Sequence, residues 1–123
     1  AMPAPNTRLR ILVVEDDAII RMNTADMISD FDHEALEAAS GTEALAILDD
    51  QPIDVMVTDL GLPGMSGEDL AREVRSRWPN IAVVFATGQS TAPDLPGAAS
   101  VALLKKPFSP EDLRKALAQV TRR

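Results

Sequence analysis

The chain has 123 residues, 46% hydrophobic and 25% charged, which is one globular domain's length and composition. The absence of cysteine excludes disulfide scaffolds, thiolate zinc sites and thiol catalysis and suits a cytoplasmic setting; no apolar run reaches the roughly 18 residues of a membrane span, and no secretory leader is expected. Twelve Lys and Arg against 19 Asp and Glu leave a net charge of −7, with cations adjacent only as Lys105-Lys106 and Arg122-Arg123, so direct nucleic-acid binding is not expected.

Residues 1–8, with two prolines, read as a flexible lead before a domain over 9–123. Ile11-Leu-Val-Val14 is a continuous apolar run, the pattern of a strand buried on both faces. Asp17 then caps a helix whose Ile20, Met27 and Phe31 share one face. Glu34 to Ala39 is the weakest strand, because Ala and Glu are poor strand formers. Ser40-Gly-Thr-Glu43 is a capping box opening a helix with Leu45 and Leu48 that ends near Pro52. Val55-Met-Val-Thr58 is the next strand, followed by the turn-rich Gly61-Leu-Pro-Gly-Met-Ser-Gly67. Ser66 caps a helix with Leu70, Val74 and Trp78 on one stripe, ended by Pro79. Ile81 to Phe85 is a fourth strand. Residues 89–100 hold two prolines and a glycine, so any helix there is short. Val101 to Leu104 is the last strand, and Ser109-Pro110 caps the last helix.

This β-α alternation, five times over, predicts a parallel sheet covered by helices on both faces. For five strands the flavodoxin-like order 2-1-3-4-5 fits best: an α/β, doubly wound (βα)5 sandwich. Ligands then bind at the carboxyl ends of the strands, at the switch point between strands 1 and 3. Strand 1 delivers Glu15 and Asp16 there, strand 3 Asp59, strand 4 Thr87 and strand 5 Lys106. Three clustered carboxylates repel one another, and a hard divalent cation relieves that repulsion; Mg²⁺ is the natural ion and Mn²⁺ a substitute. Lys106 and Thr87 supply a charge and a hydroxyl suited to phosphoryl oxygens, and Asp59 is the candidate nucleophile for an aspartyl phosphate.

The blocks Val14-Glu-Asp-Asp17, Thr58-Asp-Leu-Gly-Leu-Pro-Gly-Met-Ser-Gly67, Ala86-Thr-Gly88 and Lys106-Pro-Phe108 resemble the receiver domain of two-component response regulators, in family order and spacing from about Arg8 to Val120. The resemblance implies that Asp59 is the phosphoacceptor. It implies Mg²⁺ binding by Asp16 directly, by Glu15 mostly through water, by Asp59, and by the main-chain carbonyl of Gly61. It implies that Thr87 and Lys106 contact the phosphoryl group and that the Lys106-Pro107 bond is cis. The phosphodonor would be a histidine kinase or histidine phosphotransfer protein, and the output a downstream protein effector. Two positions depart from the family pattern. Leu103 stands where strand 5 usually carries the aromatic switch, and Gly61 offers no side chain beside the phosphoryl group. Val84-Phe-Ala-Thr-Gly88 is similar to a Phe-Ala-Thr-Gly subgroup. A stand-alone receiver and one excised from a hybrid kinase or larger regulator both fit.

Two other functions compete. An aspartate-nucleophile phosphohydrolase needs a second acid two residues after the nucleophile, where Gly61 stands. A phosphorylation-independent interaction module fits poorly with an intact Asp59, Lys106 and acid pair. The domain is therefore expected to be a phosphoacceptor and not an enzyme with a separate substrate. His33, the one histidine, is expected to face solvent, Lys105 to be solvated and Asp54 to serve a turn. The glycines after Asp59 match no nucleotide-binding motif.

Overall fold

The computed structural model describes residues 8–88, 93, 95 and 100–121. The lead expected over residues 1–8 lies outside them except for Arg8, as does most of the segment between the last two strands. The described elements run β1 (Arg10–Val14), α1 (Ala18–Asp30), β2 (Glu34–Ala38), α2 (Gly41–Asp50), β3 (Val55–Asp59), α3 (Gly67–Arg77), β4 (Ala82–Thr87), β5 (Val101–Lys105) and α4 (Pro110–Thr121). The five strands form one parallel sheet in the order β2-β1-β3-β4-β5, the topology expected from the alternation.

Alternate residues of the apolar strands face opposite layers, as strand geometry requires. Ile11, Val13, Val55, Val57, Val84 and Leu104 point to the side covered by α1 and α4, where they meet Ile28, Leu113 and Leu117. Leu12, Val14, Met56, Val83 and Phe85 point to α2 and α3, where they meet Leu48, Leu70 and Val74. β1, β3 and β4 are buried on both faces, which accounts for their unbroken apolar runs. β2 survives at the edge despite its Ala and Glu residues. Its register against β1 is fixed over five pairs, and Glu34 and Glu37 meet Arg10 and Arg21.

Helix starts follow their capping residues. The Asp17 carboxylate accepts from the Ile19 and Ile20 amides, and Ser40 and Ser66 accept from Glu43 and Asp69. Ser109 and Asp112 cap reciprocally: each backbone amide donates to the other's side chain.

Two helical faces carry the expected residues at unequal depth. In α1 the buried residues are Thr24, Ala25 and Ile28, with Met27 and Phe31 half-buried. Ile20 lies 38% exposed beside Ile19 (71%) and Met22 (57%), at the rim of a small depression it shares with Thr24 and Phe108. In α3 the stripe is Leu70, Ala71, Val74 and Arg75. Trp78, the residue after the last turn, packs half-buried on the same core as Leu70 and Val74, with Arg77 over its ring at 4.7 Å.

Candidate functional site

Strand register assembles the site. Val14 pairs with Thr58, so Glu15 and Asp59 leave adjacent strands side by side. Asp59 pairs with Ala86, which places Thr87 one step further on the next strand. Thr87 pairs with Lys105, and the Lys106 amide donates to the Thr87 carbonyl at 2.8 Å. The expected residues of four strand ends therefore converge at the switch point of the sheet. Ser40, after β2, instead caps α2.

Glu15 is 5% exposed, yet it is satisfied. Its Oε1 meets the Lys106 ammonium at 3.1 Å, and its Oε2 accepts the Asp17 amide at 3.1 Å. The Glu15 amide donates to the Ala38 carbonyl, and the Arg21 guanidinium donates to the Glu15 carbonyl, fixing the backbone on both sides. Asp59 Oδ2 lies 3.2 Å from the same Lys106 Nζ, and Asp59 Oδ1 accepts the Gly61 amide at 3.3 Å. Ligand atoms of Glu15, Asp16 and Asp59 all lie within 4.8 Å of one another. Thr87 is buried at 6% exposure. Ile20, Thr24, Ala86 and Phe108 wall a small depression above Glu15 and Asp59. The Lys106–Pro107 peptide is cis.

The electrostatics follow from crowding. Burial raises the pKa of Glu15; the Asp17 amide and Lys106 pull it back, and the Asp59 charge adds to the rise. Burial works against the Lys106 ammonium, but hydrogen bonds and charge from Glu15 and Asp59 outweigh it, so its pKa rises. Lys106 thus pairs with two of the three clustered acids, Glu15 and Asp59. Such a set of hard oxygen donors, with Lys106 the cation that pairs with it among the described residues, fits a small divalent metal.

Leu103 lies on β5 opposite Phe85, half-buried with Val101 and Leu95 on the α2–α3 side. Lys105 is exposed, as expected. His33 is not solvent-facing: it is half-buried, and its Nδ1 accepts the Leu9 amide at 3.0 Å. Arg75 is a buried charge on α3 that helical patterning did not single out. It is 1% exposed, and its guanidinium donates to the carbonyls of Ile81 at 2.7 Å and Ser100 at 2.8 Å. Its place four residues after Ala71, on the buried stripe, was the available sign.

Fold and site together define a phosphoryl-accepting signalling domain of the doubly wound class. Residues 11–118 match the family model of the response regulator receiver domain, so the chain belongs to that family, the phosphoacceptor module of two-component systems. It is 36% identical over 108 residues to the sensor kinase CckA of Brucella abortus, covering 84% of this chain and 11% of the kinase. It is 35% identical over 118 residues to the two-component response regulator PhoP of Pseudomonas aeruginosa, covering 94% of this chain and 52% of PhoP. The structure of the chemotaxis response regulator CheY4 of Vibrio cholerae superposes with a TM-score of 0.81 at 30% identity, covering 93% of this chain and 99% of that one. The chain thus spans about half of PhoP and a small part of CckA. No helix among the described residues is long and apolar enough to cross a membrane.

Proposed function

We propose that residues 9–123 form the receiver domain, after a lead over 1–8, and that Asp59 is its phosphoacceptor. The observation that carries this is the Lys106 ammonium held between Glu15 and Asp59, at 3.1 and 3.2 Å, inside a cluster of three carboxylates. Mg²⁺ is the ion we assign to Asp16, Asp59, the Gly61 main-chain carbonyl and, at longer range, Glu15. Bound there, it offsets the negative charge of the carboxylates and of an incoming phosphoryl group.

In the transfer, an Asp59 carboxylate oxygen forms the new P–O bond while the P–N bond of a phosphohistidine breaks, its electron pair returning to the imidazole. Lys106 supplies positive charge beside Asp59 Oδ2, and the Thr87 hydroxyl binds a phosphoryl oxygen. The donor is a cytoplasmic histidine kinase or histidine phosphotransfer protein, and the recipient of the signal a protein effector. Thr87 and Leu103 carry the conformational response; leucine fills an apolar gap but has no polar tip to exchange with solvent.

Incubation with Mg²⁺ and acetyl phosphate is expected to add one phosphoryl group to the intact mass. Asp59→Asn is expected to abolish the gain. Incorporation at the wild-type rate in that variant sinks the assignment, and incorporation lost from the wild type on removing Mg²⁺ supports the metal role.

A further inference from the structure

Asp59 is held at two levels. Lys106 and the Gly61 amide bind its carboxylate oxygens. They act on the side chain once the main chain is in place. The start of α3 places that main chain. The Gly67 amide donates to the Leu60 carbonyl at 2.9 Å, laying the first turn of α3 on the Asp59–Leu60 peptide. A Cβ at position 67 would stand 1.9 Å from the Asp59 carbonyl oxygen and 2.8 Å from both the Asp59 carbonyl carbon and the Leu60 Cα. All three are backbone atoms, which cannot swing aside as the end of a side chain does. Gly67 has no positive φ, so space and not conformation demands glycine here.

Gly41 makes the contrast. It too is a buried first residue of a helix. The three atoms nearest to its Cβ would all belong to the Met65 side chain, closest at the sulfur, 3.2 Å away. A thioether has three rotatable bonds and yields easily.

We propose that Gly67 is a positioning residue for phosphorylation. Its bare Cα lets α3 seat the Asp59–Leu60 peptide at the height that sets the Asp59 carboxylate against Lys106 and aligns it with the Gly61 carbonyl. The proposal rests on the reading of Asp59 as phosphoacceptor. Gly67 touches no phosphoryl group and acts through Asp59 alone. An alanine there must push the peptide away by about an ångström, and misplacement on that scale costs roughly 100-fold in a positioned reaction.

The test compares wild type, Gly67→Ala, Gly41→Ala and Leu70→Ala at saturating Mg²⁺ and acetyl phosphate. Rates are expressed per folded molecule, with sucrose added where circular dichroism shows unfolding. Leu70→Ala hollows the same helix away from Asp59 and controls for lost stability. Gly67→Ala is expected to be phosphorylated at least about tenfold more slowly than wild type. Its Asp59, Leu60 and Gly61 amide resonances should shift, and beryllofluoride should bind more weakly. Gly41→Ala and Leu70→Ala should keep wild-type rates. Gly67→Ala at the wild-type rate, or slowed no more than Leu70→Ala, overturns the proposal. So does a Gly67→Ala that stays unfolded in sucrose, because the fold as a whole then requires the glycine. A wild type that accepts no phosphoryl group refutes the assignment of Asp59 instead, which keeps the two failures apart.

Discussion

The two ends of the same sheet handle charge in opposite ways. At the amino ends of the strands, charged and polar groups are largely paired, the buried Arg10 Nε being the exception. The Arg10 amide donates to Asp54, its guanidinium meets Gln51 and Glu34, His33 takes the Leu9 amide, and Arg75 joins the Ile81 and Ser100 carbonyls. At the carboxyl ends three acids crowd together, and Lys106 pairs with two of them. Buried polar groups stabilise only when satisfied, so the amino ends serve the fold. The carboxyl ends hold like charges together at a cost, and such strain collects where a ligand is to bind.

Removing Arg75 breaks the matched end most severely. Arg75→Ala takes a donor from the Ile81 and Ser100 carbonyls, of which Ser100 keeps the Val83 amide, and opens a cavity under α3. It is expected to cost about 2–4 kcal/mol in urea unfolding. Phosphorylation per folded molecule should hold, because Arg75 lies at the other end of the strands. A variant as stable as wild type, or a folded one that no longer accepts phosphate, breaks the comparison.

A smaller change of opposite sign is expected at the crowded end. Without metal, Asp16→Asn removes one of three like charges and is expected to stabilise the protein by up to about 1 kcal/mol. With Mg²⁺ the order should invert, since mass action favours the protein that binds the ion more tightly. Thermal melts of both proteins with and without Mg²⁺ check this. Destabilisation by Asp16→Asn in chelator counts against stored repulsion.

The smallest effect concerns His33. Burial lowers its pKa; Asp32 opposes this, Arg8 reinforces it, and Asp54 opposes it. Its Nδ1 accepts the Leu9 amide, so the folded state favours the neutral ring. The unfolded chain takes up the proton first as pH falls below about 6.5. The stability His33 gives is therefore complete above that pH and is lost as pH falls through the lowered value. Between pH 7 and 5, wild type should lose more urea stability than His33→Gln, and the Leu9 amide resonance should titrate with the ring. Parallel pH profiles refute the coupling.

Much of the site was legible because its residues sit at strand ends, and strands announce themselves. Glu15, Asp16, Asp59 and Lys106 each follow an apolar run, and alternation with helices leaves few ways to order the strands. Caps were legible for a similar reason: Asp17, Ser40, Ser66 and Ser109 act within three residues of themselves. Helical periodicity placed Trp78 on the stripe of Leu70 and Val74, but it does not tell how deeply each residue of a face is covered, as the 38% exposure of Ile20 shows.

The sequence by itself determined the elements, their alternation and the acids that end β1 and β3, because these depend on neighbours a few positions apart. Tertiary structure alone decided the pairing of Lys106 with Glu15, 91 residues away, and of Arg75 with Ser100, 25 away. It alone set Leu9 on His33, 24 positions distant, and brought the Cα of Gly67 onto the backbone of Asp59. A polar side chain's partner across the fold depends on how whole layers stack, and no local pattern of residues encodes that distance.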